Sequence, residues 1–157
     1  MRQSMRFIVT ATLLVLGTAL AQNEGETVYQ SNCASCHQAN GQGIPGAFPP
    51  LAGHVPDLLA AEGGRTYLTH VLLYGLQGQI EVEGQTYNGL MPAWAQLEDS
   101  QIASVLNYVS TAWENEAALP EGFEPFTAED VAAERDLGLT PSDVHAARSE
   151  VVSGGGE

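Results

Sequence analysis

The sequence predicts an all-α fold of short helices, interrupted by one small β-hairpin and followed by a C-terminal two-helix extension. Three observations carry this expectation. Residues Leu68, Val71, Leu72 and Gly75, and again Ile102, Val105, Leu106 and Val109, recur along one face at helical spacing. Between these runs the period changes to two, with Ile80 and Val82 alternating with Gln79, Glu81 and Glu83. Beyond a linker at 120–126 stand two capping-box-like starts, Thr127-x-x-Asp130 and Thr140-Pro141-x-Asp143.

Taken in order, residues 1–21 read as a signal peptide. Arg2 and Arg6 form a basic start, Phe7 to Leu20 is an uncharged run of 14 residues, and Ala19-Leu20-Ala21 supplies small residues for cleavage. The run is shorter than the roughly 20 residues that span a bilayer, so the expected location is periplasmic or otherwise extracytoplasmic. Residues 22–118 form the main domain, 119–152 the extension and 153–157 a flexible tail. Asn23 is the expected N-cap of the first helix, which runs to about Cys33. Gly41, Gly43, Pro45, Gly46, Pro49 and Pro50 make 38–53 a loop. A short helix is expected over Pro56 to Glu62 and a longer one over Arg65 to Leu76. A Glu83-Gly84 turn then leads into Gln85-Thr86-Tyr87 as the second hairpin strand. Asp99 caps the next helix, which ends near Trp113. Gly138 separates the two helices of the extension.

The chain holds 5 basic and 19 acidic residues, and no lysine. Removal of Arg2 and Arg6 with the signal leaves three arginines against nineteen carboxylates, a formal charge of −16. Such a chain repels phosphate backbones and anionic lipid, so nucleic-acid binding is excluded. Solubility and a docking field for a cationic partner both account for the acidity.

The chemistry is carried by Cys33-Ala34-Ser35-Cys36-His37, which has the Cys-x-x-Cys-His form of a c-type haem attachment site. Thiols three residues apart on a helical turn reach neighbouring edges of one porphyrin and form thioethers with its vinyl groups. His37 is thereby carried over the iron as the proximal ligand. A thioredoxin-like dithiol requires a preceding strand, which is missing here. Structural zinc requires a second Cys/His pair, also missing. For the sixth position of the iron, Met91 is the one methionine beyond residue 21. It lies 54 residues after His37 in a segment flanked by Gly89 and Pro92, read as a loop. His54, His70 and His145 are its competitors. A shell this small lacks a large apolar core of its own, and the haem supplies the missing bulk.

These residues resemble the class I cytochrome c family. Gly25 and Tyr29 stand where that family places the small and aromatic residues that let its first and last helices cross, and Val105 and Tyr108 match the partner positions. Phe48-Pro49-Pro50-Leu51 resembles the family's proline loop, whose carbonyl accepts the proximal imidazole proton, with Pro49 the first choice and Pro50 the alternative. Nearly the whole chain beyond the signal is similar to the soluble monohaem cytochromes c of the Thermus type. The similarity runs through Asn40–Val55, Leu72–Val82, Phe126–Glu129 and the extension.

The resemblance implies a cytochrome c fold around one covalent haem c, with the extension wrapping the core. It implies Met91 as distal ligand and a monomeric one-electron carrier rather than an enzyme. The implied acceptor is a ba-type haem–copper terminal oxidase and the implied donor an upstream quinol-oxidising complex. Ile44, Pro45, Ala47, Phe48, Ala93 and Trp94 are candidates for an apolar rim at the exposed haem edge. Trp94 either packs on the haem or donates to a propionate, and Arg65 is either a propionate partner or a surface residue. Unlike its lysine-rich relatives of the Thermus type, this chain has no basic ring for docking. The rival readings are a peroxidase-like haem enzyme, a haem sensor with an open sixth site, and a thiol–disulfide module.

Overall fold

A computed structural model describes residues 24–154. The signal peptide, the Asn23 cap and residues 155–157 fall outside them.

The chain is helical from residue 24 to 32 (α1), and a further turn, Ala34–His37 (α2), carries the second cysteine and the histidine of the motif. Residues 38–54 form the expected irregular loop, pinned by a single bridge between Ile44 and Phe48. Helix α3 spans Val55–Ala60 and α4 spans Gly64–Tyr74. Strands β1 (Leu76–Val82) and β2 (Gln85–Met91) pair antiparallel. Helix α5 spans Asp99–Thr111 and a 3₁₀ turn follows at Asn115–Ala118. The extension folds as α6 (Ala128–Glu134) and α7 (Pro141–Gly154).

The core forms where α1 crosses α5. A Cβ on Gly25 would stand 2.2 Å from the Ser104 carbonyl oxygen and 2.9 Å from Tyr108 Cβ, so only glycine permits this approach. Tyr29 is fully buried, stacks against Tyr108 and Trp113, and donates from its hydroxyl to the Gln38 carbonyl. The predicted face of α5, Ile102, Val105, Leu106 and Val109, is buried throughout. Phe126, Val131, Val144 and Val151 of the linker and extension join the same core.

Several element boundaries differ from expectation. Helix α4 stops at Tyr74 because Gly75 turns to a positive φ of 80° and its backbone packs on that of Met91 and Ala93. The hairpin is correspondingly longer: Leu76 pairs with Met91, so Met91 closes a strand rather than sitting in a loop. Pro92 has no N–H to extend the ladder. Glu83 and Gly84 both adopt positive φ, the geometry of a turn whose twist matches the strands it joins. The N-cap of α5 is Glu98, which exchanges capping bonds with Gln101, and Asp99 is the first helical residue. Ser153 and Gly154 belong to α7 rather than to a tail. Among the described residues no helix is long and apolar enough to cross a membrane.

Candidate haem site

The motif, the proline loop and the hairpin surround one cleft of about 760 Å³, including its open mouth. Cys33, Cys36 and His37 contribute from α2 and the turn before it. Phe48 and Pro49 contribute from the loop, and Met91, Pro92 and Trp94 from the end of β2 and beyond. The hairpin supplies the remaining wall. Its cross-strand pairs Leu76–Met91, Gly78–Gly89 and Ile80–Tyr87 all line the cleft. A Cβ on Gly89 would meet nothing within 4 Å, so the wall is open where that side chain is missing.

The donor set suits a covalently held metalloporphyrin. Both cysteines are free of disulfide. Burial, and secondarily the neighbouring Cys36, push the Cys33 thiol up to about 11. A thiol held that far above neutral is a poor redox nucleophile, which argues against a thioredoxin-like role. His37 is buried, and its Nδ1 lies 2.9 Å from the Pro49 carbonyl oxygen. Burial lowers the pKa of His37, opposed by the Pro49 bond, so the ring is neutral at pH 7. A neutral imidazole that donates from Nδ1 leaves Nε2 as the nitrogen available to a metal.

The competing histidines are engaged elsewhere, and none lines the cleft. His54 meets Arg148 at 3.3 Å, His70 meets Glu134 at 2.7 Å, and His145 meets the Gln79 carbonyl at 2.7 Å. Arg65 is also remote. It stacks 3.9 Å over the Phe126 ring, donates to the Glu124 and Pro125 carbonyls, and pairs with Asp130 at 2.8 Å. It ties the extension down and is not placed to meet a propionate in the cleft. Trp94 lines the cleft, and its backbone N–H donates to the Leu72 carbonyl at 2.7 Å.

The cytochrome c family model matches residues 22–113 of this sequence. The chain belongs to the cytochrome c family. A cytochrome c-552 of Thermus thermophilus is 58% identical over 147 residues, covering 94% of this chain and 98% of that relative. More distant relatives are parts of larger proteins. The cytochrome c subunit of a quinone alcohol dehydrogenase from Gluconacetobacter polyoxogenes is 33% identical over 85% of this chain and 26% of its own length. A subunit of a cbb3-type cytochrome c oxidase from Azospirillum brasilense is 34% identical over 58% of this chain and 28% of its own length. This cytochrome therefore carries one covalent haem c, for which Cys33 and Cys36 fit the attachment motif, and serves as an electron carrier.

Sequence reasoning missed Asn32, Leu76, Gly78, Ile80, Tyr87, Gly89 and Leu90, which also line the cleft. The two-residue period of the hairpin was visible, but not which face would turn inward. It also missed Asn115, a buried side chain that donates to the Leu51 and Val109 carbonyls and accepts from the Gly53 N–H. Nothing local marks Asn115 in the sequence.

Proposed function

We propose that this cytochrome is a periplasmic single-electron carrier of a respiratory chain, exported by its signal peptide, with His37 and Met91 as the axial ligands of the haem iron. One observation carries the reading. The cleft holds one imidazole and one thioether, while His54, His70 and His145 are bonded elsewhere. Haem supplies the Fe(III)/Fe(II) couple when bound. The chain's part is to keep the ligands fixed, so that little reorganises as the electron moves. The Pro49 carbonyl orients His37, and the Leu76–Met91 pairing anchors the thioether's backbone. His/Met ligation raises the potential relative to bis-His. Were both His37 and Met91 to hold the iron, no position would be left for a substrate, which speaks against a peroxidase-like role.

The electron leaves through the open side of the cleft. Of its lining residues Ala47 and Phe48 are exposed, Trp94 is half-buried and Leu90 is 60% exposed, and Ile44, Pro45 and Ala93, near them in the chain, are exposed as well. Every residue lining the cleft falls in stretches 27–56, 66–80 or 84–97, none of which contains an Asp, Glu, Lys or Arg. The docking face is thus neutral and apolar on a strongly acidic molecule. The acceptor we favour is a ba-type haem–copper oxidase, on the strength of the similarity to Thermus cytochrome c-552, with a quinol-oxidising complex as donor. Oxidation of the reduced protein by purified ba-type oxidase, followed in a stopped-flow instrument from low to high salt, tests this. Fast oxidation with a rate that stays flat or rises with salt is expected, because the cleft lining offers no charge whose attraction to a partner salt could screen. Oxidation no faster than by dissolved oxygen alone would remove the oxidase from consideration.

A further inference from the structure

Residues 92–98, which follow Met91, have no regular structure of their own, and Pro92 cannot extend the ladder. From inside the main domain this segment is tied by the Trp94 N–H, which donates to the Leu72 carbonyl at 2.7 Å. Its outer side is gripped by the extension. The Arg135 guanidinium donates to the Ala95 carbonyl at 2.7 Å, to the Leu97 carbonyl at 2.9 Å and to the Asp99 carboxylate at 2.6 Å. Arg135 is itself held, because the Tyr74 hydroxyl bonds the Arg135 carbonyl at 2.6 Å. Tyr74 directly precedes Gly75, the residue whose backbone lies against Met91 and Ala93.

A second grip acts on the strand paired with the Met91 strand. His145 of α7 donates to the Gln79 carbonyl at 2.7 Å, and its ring sits where a Cβ on Gly78 would lie, 2.5 Å from the nearest ring atom. Gly78 lines the cleft and pairs with Gly89, two residues before Met91. The extension therefore holds both the segment after Met91 and the strand beside it.

We infer that the C-terminal extension is a lock on the distal ligand, with Arg135 and His145 as positioning residues that keep the Met91 thioether on the iron. The inference rests on Met91 being that ligand. An outward swing of 91–97, which would carry the thioether away, breaks the charge-assisted bonds from Arg135 to Ala95 and Leu97. Arg65 provides an internal control. It also fastens the extension, but at Glu124, Pro125 and Asp130, away from the Met91 segment.

The test uses the ferric holo-protein mixed with excess imidazole in a stopped-flow instrument, with thermal unfolding measured on each variant. At saturating imidazole the rate is limited by thioether release. Arg135→Ala is expected to raise that limit about tenfold or more, the effect of losing one charge-assisted hydrogen bond. His145→Ala, a change at a half-exposed position that leaves the core intact, should raise it severalfold. Arg65→Ala should lower the unfolding temperature and leave the limit unchanged. Equal limits in Arg135→Ala, Arg65→Ala and the parent overturn the lock. So do limits that merely follow unfolding temperature across the three variants. A parent that binds imidazole without saturation and has no far-red thioether band overturns the Met91 assignment itself, and the lock with it.

Discussion

At the scale of single residues, His54 is the clearest titrating group away from the haem. It lies against Arg148, which also donates to the Tyr67 hydroxyl, with Glu83 close to the neighbouring Gly53. Burial, and then the Arg148 charge, push its pKa down to about 4. In the unfolded chain an imidazole titrates near 6.5. Between those values the unfolded chain binds a proton that the folded chain refuses. Stability from this residue is therefore complete above about pH 6.5, declines as pH falls to about 4 and is level below that. Guanidinium unfolding of the holo-protein across that window should show a steeper loss for the parent than for His54→Gln; parallel curves would contradict it. Such roles were only partly legible in the sequence. Cys33, Cys36 and His37 could be read because their chemistry depends on local spacing. Arg65 could not, since its partners lie 59 to 65 positions away and nothing near it names them.

At the scale of elements, the crossing of α1 on α5 makes the sharpest demand. Gly25→Ala would force a methyl group to within 2.2 Å of the Ser104 oxygen. Overpacking of this kind costs about 1–3 kcal/mol. The expected result is a lower midpoint in denaturant with an unchanged haem spectrum; an unchanged midpoint would mean that the helices part without penalty. Thr127→Ala removes one half of the box that opens α6, where the Thr127 hydroxyl accepts from the Asp130 N–H at 3.2 Å. It should cost about 1 kcal/mol in the same assay. Both capping boxes of the extension were legible because they are short, local patterns. The long hairpin was not. Gly89 and Pro92 around Met91 read as loop residues, and only the pairing with 76–82 makes 85–91 a strand. Glu98 was passed over as a cap in favour of Asp99, the adjacent residue, because glutamate is not among the preferred N-cap residues, although Gln101 stands three positions on as a capping box requires.

At the scale of the whole molecule, charge is sorted by place. The three arginines of the described residues all connect the extension to the rest of the chain: Arg65 to Asp130, Arg135 to Asp99 and Arg148 to Tyr67 and the Glu81 carbonyl. The cleft, by contrast, is lined by no carboxylate and no arginine. The acidity was plain from composition, but its exclusion from the haem face became visible only when the loop and hairpin came together. The cleft also sets the dependence of folding on haem. A double variant, Cys33→Ala/Cys36→Ala, leaves its apolar walls without the porphyrin, and it should show reduced helicity and no cooperative thermal transition by circular dichroism. A fully helical, cooperatively melting variant would show that the shell stands alone. Closure of the carrier's iron by His37 and Met91 is read out by the absorption spectrum of the ferric holo-protein and of Met91→Ala, each followed by reduction under carbon monoxide. The parent is predicted to show the weak far-red band of a methionine sulfur on ferric haem and no carbon monoxide adduct, and Met91→Ala to lose the band and bind carbon monoxide. A high-spin parent that binds carbon monoxide readily would contradict the claim and make this an open-site haem protein.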